Sequence, residues 1–188
     1  RGEERLRPVE VGDLGVRRAE RLRDVGVAAG AHREAVLDPE VPVVSVRELG
    51  ILRDVRVNER GLTVVLTPTY SGCPATELIE SSIVDALVAA GLGPVQVQMQ
   101  RAPAWTTDWI TAEGRRKLRD YGIAPPGPAD VSQGVTMRFI PRVKATALAC
   151  PRCESANTER LSAFGSTACK ATYRCLACGE PFEHFKPI

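Results

Sequence analysis

The sequence predicts an α/β chain of the α+β kind, a small mixed sheet packed by helices, with a C-terminal ribbon built around a metal. Three observations carry this. Two β-rich runs, ILRDVRV from 51 to 57 and LTVVL from 62 to 66, face each other across the polar loop NERG. Ile79, Ile83, Ala86, Leu87 and Ala90 then recur at helical spacing, and two CxxC pairs stand near the C-terminus.

Residues 1–27 mix arginines with acids and scatter a few apolar positions around Pro8 and several glycines, so they read as a weakly ordered extension outside the main core. From about Ala28 to Leu37 a helical pattern runs until Asp38-Pro39, where the proline biases its predecessor away from helix. DPEVP is a turn, and the two β-rich runs form a hairpin. Pro74 suits a first helical position, and Gly91 stops the amphipathic helix after roughly four turns. Val95, Val97 and Met99 alternate with Gln96, Gln98 and Gln100, which gives a third strand with one polar face. A turn and a short helix capped by Thr111 follow, with Glu113 suited to the positive helix end. IAPPGPADVSQG is a linker by composition. The expected division is an extension over 1–27, a first domain over 28–124, a linker over 125–134 and a ribbon over 135–188.

The 188 residues carry a net charge of +2, too small an excess to indicate a nucleic-acid or membrane-surface partner. No long apolar run and no signal-peptide pattern is present, so the expected address is the cytoplasm. Reduced thiols fit that address, and five of the six cysteines lie at or beyond Cys150.

Cys150-Pro-Arg-Cys153 and Cys175-Leu-Ala-Cys178 make two knuckles at the spacing of a four-thiolate site. Zinc leads, with an iron–sulfur centre or rubredoxin-like iron as the alternatives, because four thiolates suit either metal. A full set of four sulfurs leaves no open position, so the role is structural, and the metal supplies folding free energy to a ribbon too small to make its own core. Cys169 is not needed for the tetrahedron and reads as a small buried apolar residue in preference to a functional thiol. His32 and His184 are lone and read as solvated.

Cys73, in TPTYSGCPA, stands apart from the other cysteines. Just before a proline at the first helical position it borders the N-cap, where the positive helix end favours a thiolate ligand or nucleophile. A small buried residue at a tight turn is an equal alternative.

DPEVPVVSVRELGI, the hairpin, LTPTYSGCP, the helix and PAWTTDWITAEGRRKL together resemble the MIP18-like (DUF59) iron–sulfur cluster assembly domain, from about residue 31 to 122. CPRC with FGSTACKATYRCLACGEPFEHFK resembles the tail specific to the PaaD family of the phenylacetate-degradation cluster. The resemblance implies a non-enzymatic factor that handles or inserts an iron–sulfur cluster for the multicomponent phenylacetyl-CoA epoxidase. Its implied partners are the epoxidase subunits, the iron–sulfur reductase foremost, and the iron–sulfur assembly machinery; a homodimer is left open. The implied pocket comprises Asp38, Glu40, Thr67, Thr69 and Cys73, with a structural Zn²⁺ in the ribbon and a transient iron–sulfur cluster as cargo. RAPAW stands where many relatives have a DPPW-like stretch, so Trp105 is given no functional role. A scaffold subunit is the alternative, and a thiol enzyme using Cys73 is disfavoured because no histidine base is indicated beside it.

Overall fold

The computed structural model describes residues 36–58, 61–70, 72–127 and 148–188. The extension over 1–27, most of the helix expected from Ala28, His32 and most of the linker lie outside the described residues.

β1 (Leu52–Asn58) and β2 (Gly61–Leu66) form the expected antiparallel hairpin, with Val55 opposite Val64 and Val57 opposite Leu62. Gly61 is required where it stands, because its φ is +122° and a side chain there would collide with the Pro94 carbonyl. α1 (Thr76–Ala89) crosses back over the sheet, and β3 (Val95–Met99) lies parallel to β2, giving the order β1-β2-β3. A parallel pair needs such a crossover, and α1 supplies it. Its Ile79, Ile83 and Leu87 are buried at the predicted spacing, each worth about 2 kcal/mol of burial.

The polypeptide then turns through a 3-10 segment (Thr107–Trp109) into α2 (Ala112–Tyr121). The Thr111 hydroxyl accepts from the Gly114 amide at 3.0 Å, and Gly122 closes α2 at φ 98°, so the predicted cap is present. Among the described residues no helix is long and apolar enough to cross a membrane.

The second sheet runs β4-β7-β6-β5, with β4 (Ile123–Ala124), β5 (Thr158–Ser162), β6 (Lys170–Cys175) and β7 (Pro181–Phe185). β4 leaves α2 directly and pairs parallel with β7, Ile123 opposite Glu183 and Ala124 opposite His184. The ribbon sheet thus has one edge drawn from the stretch read as the start of a linker. The exchange is mutual: Cys169 and Phe185 belong to the first core, while Ala124 packs with Cys150, Cys175 and Phe182. Trp105 joins the two, donating its indole N–H to the Leu49 carbonyl at 3.0 Å with its ring 5.9 Å from that of Phe185. A buried indole with its donor satisfied is a structural pin.

Two local readings are corrected. Leu37 forms an isolated antiparallel bridge with Ser45, so the end of the helical pattern is extended at that point. His184 is half-buried, its Nδ1 lies 3.1 Å from the Ala124 carbonyl, and its ring meets Tyr173 edge-on. Burial lowers its pKa, although the Ala124 contact pulls the other way.

Candidate functional site

β2 delivers the chain to the site. After Leu66, the segment Thr67-Pro68-Thr69-Tyr70 leads to Cys73 and α1. The Thr76 amide bonds to the Cys73 carbonyl at 3.2 Å, and α1 begins at Thr76 with Ala75 as N-cap. Pro74 is therefore the second residue of a turn, the position its fixed φ favours, rather than the first residue of the helix. This corrects the expected cap: Cys73 precedes the N-cap by two residues and is half-buried.

A small cavity of about 30 Å³ opens beside Cys73. Asp38, Glu40, Thr69, Cys73, Cys169 and Lys170 bring polar groups to it, over an apolar lining that includes Leu49, Ile79, Met99 and Phe185. Four of the five residues expected in a pocket thus meet on one cavity. Thr67 does not line it; it is 1% exposed, and its hydroxyl has no hydrogen-bond partner among the described residues.

The Asp38 carboxylate shapes the approach. Its Oδ1 accepts from the backbone amides of Glu40 and Val41, both at 2.9 Å, which closes the DPE turn. Burial raises the Asp38 pKa despite these two donors, and Glu40 is raised by burial and by the neighbouring Asp38 charge. Tyr70 is pushed up to about 12, by burial first and then by the sulfur of Cys73, with Cys169 and Glu40 adding to it.

From the ribbon come Cys169, 5% exposed, and Lys170, whose ammonium lies 3.1 Å from Glu183. The Cys169 sulfur is 3.0 Å from the Thr167 hydroxyl, and burial raises its pKa against the pull of Thr167 and Lys170. Cys169 is thus the small buried residue expected, yet it is buried against the cavity of Cys73. Sequence spacing holds no signal for that meeting, which needs the tertiary junction.

The second cluster is the one the spacing predicts. The sulfurs of Cys150, Cys153, Cys175 and Cys178 all lie within 4.8 Å of one another, with Cys150 to Cys178 at 3.9 Å and Cys153 to Cys175 at 3.5 Å. Four thiolates at the usual zinc–sulfur distance of about 2.3 Å would stand roughly 3.8 Å apart, so this donor set is close to the tetrahedron that zinc takes. The knuckles match: the Glu154 amide reaches back to the Cys150 carbonyl and the Gly179 amide to that of Cys175, each at 2.9 Å. Both turn residues have positive φ, 60° at Glu154 and 80° at Gly179. Bound there, zinc would supply folding free energy through the four thiolates.

Two family models match separate parts of the chain. Residues 34–99 match the family model described as iron–sulfur cluster assembly protein, and residues 139–186 match the PaaD zinc beta ribbon domain. The chain is 48% identical over 151 residues to a protein of Escherichia coli (strain K12) that is named as one of the subunits of a "Putative 1,2-phenylacetyl-CoA epoxidase", covering 80% of this chain and 86% of that one. Among solved structures, a DUF59 domain from Bacillus anthracis is 25% identical, covering 53% of this chain and 96% of that chain at a TM-score of 0.49. A conserved hypothetical protein from Thermotoga maritima is 26% identical, covering 48% and 90% at a TM-score of 0.42. With a DUF59-type half, a four-cysteine ribbon and a close relative along most of its length, the chain belongs to the PaaD family.

Proposed function

We propose that this chain is a non-enzymatic maturation factor that handles an iron–sulfur cluster, or its iron, for the multicomponent phenylacetyl-CoA epoxidase of phenylacetate catabolism in the cytoplasm. The observation that carries the reading is the cavity on which Cys73, Asp38, Glu40 and Thr69 converge. A half-buried thiol is a soft iron ligand that remains within reach of a recipient, and a single protein thiolate holds cargo weakly enough to release it. Two acids whose charges are disfavoured by burial complement a cationic load.

In this reading residues 28–124 engage the cargo, and the ribbon over 135–188, with its structural zinc, docks the recipient. The iron–sulfur reductase of the epoxidase is the proposed recipient. Support for the partner comes from the relative named as belonging to an epoxidase. That name also favours a second reading, a scaffold subunit that stays in the complex.

The two readings part in cells lacking the protein. A maturation factor leaves the epoxidase subunits at normal abundance but poorly active, and reductase purified from those cells is short of iron and sulfide. Reductase with a full cluster would refute maturation and favour the scaffold.

A further inference from the structure

Cys169 is the buried nucleophilic group that neither the zinc cluster nor the proposed function uses. It immediately precedes β6, outside the four-sulfur cluster, and turns up on the same small cavity as Cys73. Cys73 and Cys169 both raise the pKa of Tyr70, so both sulfurs lie within its electrostatic reach. Asp38 and Glu40 border the same space, and Lys170, the cation beside them, is occupied by Glu183.

The lining suggests what could enter. The cavity is small, and the two sulfurs that border it could hold one ion between them. Two sulfurs favour a thiophilic divalent cation over magnesium or calcium, which prefer oxygen alone.

We propose that Cys73 and Cys169 are the paired thiolate ligands of a single iron(II) ion held between the DUF59-type domain and the ribbon. This deepens the maturation reading and rests on it: the cargo at this site is the mononuclear ion, taken up with release of both thiol protons. Cys169 thereby gives the ribbon a part in the cargo site as well as in docking.

The test uses the full chain with its ribbon zinc in place, titrated anaerobically with cobalt(II) as the spectroscopic probe. One cobalt per chain should bind beyond the zinc, with a sulfur-to-cobalt absorption band. Cys73→Ser and Cys169→Ala should each weaken binding at least tenfold and cut the band to about half, with zinc content and melting unchanged in the Cys73 variant. Unaltered cobalt binding by a folded Cys169→Ala protein would overturn the proposal, as would failure of the wild type to bind a second metal.

Should Cys169→Ala not fold, phenylarsine oxide on the zinc-loaded wild type gives the answer. Mass spectrometry should find one arsenic bridging Cys73 and Cys169, and the lack of that bridge refutes the pairing. Complementation separates this inference from the reading beneath it. If Cys169→Ala restores reductase iron in cells and Cys73→Ser does not, the pairing falls and maturation stands; if Cys73→Ser also restores it, the cargo role of Cys73 falls too.

Discussion

Thr67→Val should stabilise this protein. The Thr67 backbone is well placed, its amide donating to the Ile51 carbonyl at 2.8 Å, but its hydroxyl is fully buried without a partner among the described residues. An unsatisfied buried hydroxyl costs about 1–3 kcal/mol, and valine keeps the shape while removing the polar atom. Taking the lower end, because a methyl has to be accommodated where an oxygen was, the expected gain is about 1 kcal/mol. For a chain of this size that corresponds to a rise of roughly 2–4 °C in melting temperature. Thermal unfolding followed by circular dichroism on the zinc-loaded protein measures it. A lower melting temperature would show that the hydroxyl has a partner worth more than its burial costs, and would refute the reasoning. If stability rises while epoxidase maturation falls, the oxygen is retained for function at the expense of the fold.

The remaining predictions concern the metal, the junction and pH. Elemental analysis of purified protein should find about one zinc per chain, and Cys150→Ser should lose it and unfold the ribbon. Phe185→Ala removes a ring that is 3% exposed and packed on Trp105, so it should cost about 3 kcal/mol in denaturant unfolding and lower the stability of the first domain as well as the ribbon. Glu48→Gln tests a pH dependence. The Glu48 carboxyl meets Lys117 Nζ at 2.6 Å and the Ser45 amide at 2.8 Å; burial pushes its pKa up, and these partners outweigh that and hold it below 4.5. A depressed folded value means that the stabilisation is whole above 4.5 and lost as pH falls through the folded pKa. Glu48→Gln should therefore melt lower by about 1 kcal/mol at pH 7 and approach the wild type in acid.

What is legible in the sequence follows from which forces are local. The hairpin, α1 and β3 are readable because their patterns are local: α1 buries the residues its period marks, β3 turns Val95, Val97 and Met99 to its more buried side, and the hairpin joins two β-rich runs across a short loop. The four-sulfur cluster is readable because knuckle spacing nearly determines which sulfurs can meet. The start of α1 is ambiguous in sequence because Pro74 suits both a turn and a first helical position, and only the bond from Thr76 to Cys73 decides between them. β4 is illegible because two residues before a proline-rich stretch have no period, and β7 alone makes them a strand. Cys169 and His184 are underread for the same reason: their surroundings come from a module distant in sequence.

Family likeness divides this chain near residue 139, yet the exchange of side chains at the junction places the seam elsewhere. A chimera spliced at that boundary would take Phe185 and Cys169 out of the first core and leave a hole beneath the cavity. It would also strip β7 of β4, exposing a row of unpaired backbone groups to any strand nearby. The heritable unit and the foldable unit differ here, so a productive graft has to carry α2 and β4 along with the ribbon, and has to find a host that already offers a slot for Phe185.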